Sequence, residues 1–126
     1  MSEKIKAQST VIVTKEYELD EIWEALTGSD FAGCQDFIVT MSCDWTKPWE
    51  TFPVTHYNPR KLDKDGDYRV MTTQVTKEML LEGFKKMVNS GMTHCGRYPL
   101  DDLEDHDACF AHALLQFTLY GEITFG

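Results

Sequence analysis

The sequence predicts an α+β fold, a small single domain with a mostly antiparallel sheet of four to five strands packed with three helices. Three observations predict it. Short β-branched and aromatic runs alternate with stretches of helical periodicity, turn residues rather than helical crossovers join the middle strands, and 126 residues suffice for one core. A doubly wound parallel sheet would need crossovers of about a dozen residues or more, which the middle of the chain does not offer.

Ser9-Thr10-Val11-Ile12-Val13-Thr14 is short and β-branched, so it reads as a first strand. Leu19, Ile22, Trp23 and Leu26 then recur at helical spacing. Asp20 and Glu21 stand early, where the helix dipole favours negative charge, and Gly28 supplies a stop, so a helix is expected over residues 19–27. Residues 36–43 form a second apolar strand. The stretch 44–53 is irregular, with Pro48 and Pro53 arguing against a central strand, and Val54 to Tyr57 is expected as a short edge strand that Pro59 soon interrupts.

Asp63-Lys64-Asp65-Gly66-Asp67 is a turn signal before a clear strand, Tyr68 to Val75, so an antiparallel hairpin is expected across Asp65-Gly66. Thr76 can cap a helix whose stripe is Leu80, Phe84, Met87 and Val88 and which ends at Asn89-Ser90-Gly91. A loop through Tyr98-Pro99 leads to a last helix over residues 105–119. Ala108, Ala111, Leu114, Leu115 and Thr118 share one face of it, thickened by Phe110 and Phe117, so it is expected to be the core helix. Gly121 ends it, and Glu122 to Phe125 is expected as a short final strand.

Composition narrows the function classes. Twelve Lys and Arg face 21 Asp and Glu, a net charge of −9, which is the wrong sign for gripping phosphates; direct nucleic-acid binding is not expected. No apolar run approaches the roughly 20 residues of a membrane span. The N-terminus has no apolar segment of a secretory signal, so a cytoplasmic location is expected, with Cys34, Cys43, Cys95 and Cys109 as reduced thiols. After Arg97 there is no Lys or Arg, and Asp101, Asp102, Glu104, Asp105, Asp107 and Glu122 lie in those last 29 residues.

Five of these carboxylates fall within residues 101–107. They cap the last helix and complement its positive end, a role that accounts for Glu104, Asp105 and Asp107 but does not need Asp101 and Asp102. The functional alternative is a surface that docks on a basic protein groove, with Asp101, Asp102, Glu104, Asp105 and Asp107 as its partner-binding residues; a divalent-cation site is a third reading. His94, Cys95, His106, Cys109 and His112 carry zinc-ligand chemistry, and Cys109 and His112 point roughly the same way on a helix. Without a CxxC knuckle, and with His94 and Cys95 adjacent, they read better as core and helix residues. Asp63 to Asp67 departs from the calcium loop, since Tyr68 and Gln74 stand where Gly and Glu are needed.

Trp45, Trp49, Phe52, His56 and Tyr57, punctuated by Pro48, Pro53 and Pro59, either pack over one mouth of the core or present rigid anchors. A small-ligand site, for a nucleotide-like molecule, would use Trp45, Trp49, Tyr57, Arg60 and Arg69. No motif of nucleophilic, metal-dependent or phosphate-loop catalysis is present, and no cofactor is expected.

The run Asp105…Asp107-Ala108…Gln116-Phe117…Leu119-Tyr120-Gly121-Glu122-Ile123-Thr124-Phe125-Gly126 resembles the ending of an uncharacterised family of small phage and mobile-element proteins, Q-x-x-x-[FY]-G-E-[IV]-x-[FY]-G. Residues 10–43 resemble the family's N-terminal part: a β-branched opening, a helix from Leu19-Asp20, a turn at Thr27-Gly28-Ser29, then an aromatic strand. The resemblance carries over no catalytic residues and implies chiefly a genomic context, in which small acidic proteins often inhibit host defence. The function expected is therefore a non-enzymatic inhibitor acting on a basic surface of a host protein or nucleoprotein complex, with a homo-oligomer as a further possibility. The rivals are a nucleotide-sequestering protein, then a hydrolase or transferase with an unrecognised site.

Overall fold

Helix α3 (Ala108–Tyr120) is apolar nearly all round, and a helix of that kind is stable only when other elements enclose it. Phe110, Ala111, Leu114, Leu115 and Phe117 are buried along it, as the sequence predicts for the core helix. The computed structural model describes residues 3–8, 14–28, 32–90, 93–94, 98–99 and 108–124. Ahead of α3 these form β1 (Lys4–Gln8), β2 (Thr14–Glu18), α1 (Leu19–Thr27), a 3-10 helix (Ala32–Asp36), β3 (Ile38–Met41), β4 (Phe52–Leu62), β5 (Tyr68–Val75), α2 (Lys77–Ser90), β6 (Thr93–His94) and β7 (Tyr98–Pro99). The architecture is α+β with antiparallel strands and three α-helices. The strands divide into a sheet of order β3-β4-β5, a β1-β2 pair and a short β6-β7 pair, where one sheet of four to five strands was expected.

One core joins the layers. Ile22, Trp23 and Leu26 of α1, Leu80, Phe84, Met87 and Val88 of α2, and Phe52, Val54 and Val75 of the sheet enclose α3. Thr76 Oγ1 accepts the Met79 N–H at 3.2 Å, the cap that the sequence predicts for α2. Gly83 lets α2 approach α3: a Cβ there would stand 2.8 Å from Thr118 Cα.

Three elements differ from expectation. The opening run 9–14 lies outside the described residues except for Thr14, and the strands on either side of it, β1 and β2, pair with each other. Both are polar, which hides them from a search for β-branched runs. They are held by Tyr17, which packs edge-on against Phe84 at 5.0 Å, and by cross-strand Lys4–Glu18 and Lys6–Glu16 ion pairs at 3.4 and 3.8 Å. Second, β4 is a long central strand, not a short edge. Its prolines sit where no ladder bond is lost: Pro53 lies where β3 ends, its carbonyl accepting the Ser42 N–H at 3.3 Å, and Pro59 falls in the irregular register between Asn58 and Leu62. Third, residues 122–124 form no strand. The expected hairpin is present, with Gly66 at φ +86 and Asp63 Oδ1 accepting the Asp65 and Asp67 N–H groups.

Candidate functional site

A cleft of about 450 Å³ opens where the far end of β4, β5 and the end of α3 converge. Two local devices shape it. Asn58 Oδ1 accepts the Arg60 N–H at 3.0 Å, turning Pro59 and Arg60 outward through the irregular end of β4. Gly121, at φ +78, ends α3 with its N–H on the Phe117 carbonyl, and buried Gln116 then draws the chain back by accepting the Thr124 N–H at 2.8 Å. The lining that results is mixed: Arg60 and Glu122 are charged, Met71, Leu119 and Pro59 are apolar, and Tyr120 is aromatic.

Beneath the cleft lies a buried polar cluster. His56, 1% exposed on the inner face of β4, has Nε2 at 2.7 Å from Thr73 Oγ1 and Nδ1 at 3.1 Å from the Tyr120 hydroxyl. Tyr120 donates to the Tyr57 carbonyl at 2.6 Å. That assigns the ring: Nδ1 carries the hydrogen and donates toward Tyr120 and Tyr57, while Nε2 accepts from Thr73. Burial holds the His56 imidazole below its ordinary value, only partly opposed by its bond to the Tyr57 carbonyl, and burial pushes the Tyr120 phenol up.

A second chain runs alongside. Gln116 Nε2 lies 3.1 Å from His112 Nδ1, and His112 Nε2 lies 3.5 Å from Asp36 Oδ2. His112, Gln116 and Tyr120 thus form an i, i+4, i+8 stripe of polar groups on an otherwise apolar helix. The i, i+4, i+8 spacing of that stripe is a signal the sequence carries but its reading above did not use, whereas the tail pattern Gln116…Tyr120-Gly121-Glu122 was read, and its members here fix the end of α3. Asn58, Met71 and Thr124 join the cleft only through the fold, and no local signal marks them.

The structure separates the predicted ligand residues. Trp45 and Trp49 pack tilted against Trp23 of α1, with ring centroids 5.4 and 5.2 Å away, Trp45 also meets Phe52, and Trp23 Nε1 donates to the Trp45 carbonyl. Trp49 holds a left-handed φ of +64 to do so, a conformation that costs a bulky residue about 1 kcal/mol or more. These rings cover the core beside α1. Arg60 stands at the other end of β4, on the order of 20 Å away at about 3.3 Å per residue. Arg60 lines the cleft, Tyr57 reaches the cluster through its carbonyl, and exposed Arg69 pairs with Asn58 across the strands.

Asp101, Asp102, Glu104, Asp105 and Asp107 lie outside the described residues, as do Cys95, His106 and the side chains of His94 and Cys109. Of the zinc-type set only His112 is described, and both its ring nitrogens face protein groups. The Cys43 thiol is pushed up to about 11, first by burial and then by the charges of Asp44 and Glu50, which keeps it protonated at neutral pH.

The acidity has a described counterpart on α1. Asp20, Glu21 and Glu24 are exposed, and no ion pair with a described residue reaches Glu21 or Glu24. Glu24 stands in the last turn, the negative end of the dipole, four residues after Asp20; both placements destabilise a helix by a few tenths of a kcal/mol. Compared with protein-family models, curated proteins and solved structures, the chain matches none.

Proposed function

We propose that this chain is a non-enzymatic binding protein, of the kind a phage or mobile element uses in the host cytoplasm, that masks a basic surface of a defence or nucleic-acid-handling protein. The observation that carries this reading is acid held against local stability. In a chain of net charge −9, the outward face of α1 keeps Glu24 where the dipole and Asp20 both oppose it. In the sequence, Asp101, Asp102, Glu104, Asp105 and Asp107 add five further carboxylates. Opposite charge speeds and orients association with a cationic partner. Binding is favoured over turnover because His56 is buried with both ring nitrogens bonded within the protein, which leaves neither for a substrate.

The test is affinity capture from host extract at low and high salt, wild type against a variant carrying Asp101→Asn, Asp102→Asn, Glu104→Gln, Glu21→Gln and Glu24→Gln. Basic nucleic-acid-handling proteins should be retained by the wild type, released by salt and lost by at least about tenfold in the variant. Equal capture by both proteins would discard the reading.

The cleft favours a second reading, a small-ligand binder. Its volume suits a compact ligand, and Arg60 beside Tyr120 and Met71 offers an anion contact next to an apolar wall. Thermal-shift screening with mono- and cyclic nucleotides should give a stabilisation that Arg60→Ala removes; no shift with any of them would rule out nucleotides.

A further inference from the structure

The cleft at the end of the sheet holds charge of both signs that the protein itself leaves unmatched. Among the described residues that line it, Arg60 is the one cation and Glu122 the one anion. Arg60 comes from the irregular end of β4 and Glu122 from the segment that Gln116 draws back after α3, and both are exposed. Neither forms an ion pair with the other or with any further described residue. Lys86 Nζ comes near Gly121, where a Cβ would stand 3.4 Å from it, yet does not pair with Glu122. Apolar groups share the same space. Met71 lies opposite His56 in the ladder, on the face of β5 that turns toward the core, and is nevertheless 42% exposed. Its exposure is therefore to the cleft, beside Leu119 and Pro59.

We propose, on the footing that this cleft is the small-ligand site of the second reading above, that it prefers a small zwitterion. The ligand is an amino acid whose carboxylate meets Arg60, whose ammonium meets Glu122 and whose apolar body lies against Met71 and Leu119. Arg60 alone would accept any anion, nucleotides included, but Glu122 changes the ranking. A polyanion satisfies Arg60 while bringing like charge to Glu122, and it approaches a molecule of net charge −9. A zwitterion is neutral overall, so the long-range field does not oppose it, and each of its ends finds an unmatched partner. The guanidinium can grip a carboxylate with two parallel N–H donors, and an ammonium offers three donors to a carboxylate that only accepts. Met71 is unbranched and polarisable, a wall that adapts to the body between the two ends. A volume of about 450 Å³ lies low in the range of ligand cavities, roughly 300–1,000 Å³, as a single amino acid requires. Both charges are exposed and each pair is weak, so a dissociation constant on the order of 1 mM is expected.

NMR titration of the full chain tests this, with L-leucine, L-phenylalanine and ω-aminohexanoate to about 20 mM at matched ionic strength. Saturable shifts are expected with at least one of them at the Met71 methyl and the Arg60, Glu122 and Thr124 amides. An α-amino acid and an ω-amino acid differ in the spacing of their charges, and a response to either supports the proposal. N-acetyl-leucine keeps only the anion and leucinamide only the cation, so each should bind at least tenfold more weakly than leucine or not at all. Crossed variants separate recognition from folding. Glu122→Gln should abolish the preference for leucine over its N-acetyl form and keep the preference over the amide, and Arg60→Gln should do the reverse. A merely damaged cleft would lose both preferences together. No saturable shift with any zwitterion overturns the proposal, as does an N-acetyl form that binds as well as leucine. If nucleotides bind and zwitterions do not, the cleft remains a ligand site and the ligand class alone fails; if neither binds, both fail.

Discussion

At His56 a neutral ring accepts from one hydroxyl and donates toward another, and protonation would turn its only acceptor, Nε2, into a second donor facing Thr73. The energetic consequence has a definite sign. Burial lowers the native pKa of His56 from 6.5, while the unfolded chain keeps the ordinary value. Above that value both states are neutral and His56 contributes no pH dependence. Below it the unfolded chain takes up a proton that the native state refuses, so stability falls as pH falls through the interval down to the native pKa. One proton of difference gives a slope of up to about 1.4 kcal/mol per pH unit. Urea unfolding between pH 7 and 5 should therefore show a steeper loss for the wild type than for His56→Gln, whatever the absolute stability of the variant. Parallel curves would mean that His56 titrates alike in both states.

Between elements, closeness of approach decides what a residue can be. A Cβ at Gly83 would stand 2.8 Å from both the Cα and N of Thr118, backbone atoms that cannot turn aside, so Gly83→Ala must push α2 off α3. About 2–3 kcal/mol of destabilisation is expected in thermal or urea unfolding, as for other overpacked contacts. Gly66 fails differently: nothing lies within 4 Å, but its φ is +86. Asparagine tolerates that conformation, so Gly66→Asn should be nearly silent where Gly83→Asn is not. The same distinction marks what was legible in the sequence. Rules that act over a few residues were readable: the α1 and α2 stripes, the Thr76 cap and the Asp65-Gly66 hairpin. Gly83 looks like any helix glycine until α3 is placed beside it. β4 was taken for an edge because proline speaks against a central strand, and only the short reach of β3 makes Pro53 and Pro59 harmless. The cleft was least legible, since Asn58, Met71 and Thr124 meet through the sheet and the turned-back tail. On α1, Glu24→Lys replaces a charge that the dipole opposes with one it favours and pairs it with Asp20. The helix should gain about 0.5 kcal/mol while partner capture falls.

Taken as a whole the molecule is a polyanion, and among the described residues the Lys4–Glu18, Lys6–Glu16, Lys77–Glu3, Lys85–Glu82 and Lys47–Asp44 pairs all lie at the surface. Exposed pairs of this kind contribute about 0–1 kcal/mol each, and salt weakens them. Against them stands the repulsion of a net −9 confined to one small fold, which salt also weakens. The two effects oppose each other, and magnitude decides between them. Attractions this marginal do not offset a net charge of −9, so the repulsive term is the larger and screening should stabilise the native state. Raising NaCl from about 20 to about 200 mM shortens the Debye length from roughly 20 to under 10 Å, which removes repulsion across the molecule while sparing contacts of 3–4 Å. The melting temperature of dilute, monomeric protein should rise over that range, and rise less in a variant with Glu21 and Glu24 neutralised, which has less charge to screen. A melting temperature that falls with salt would show instead that the surface pairs outweigh the net charge, and the acid on α1 would no longer count as held against stability.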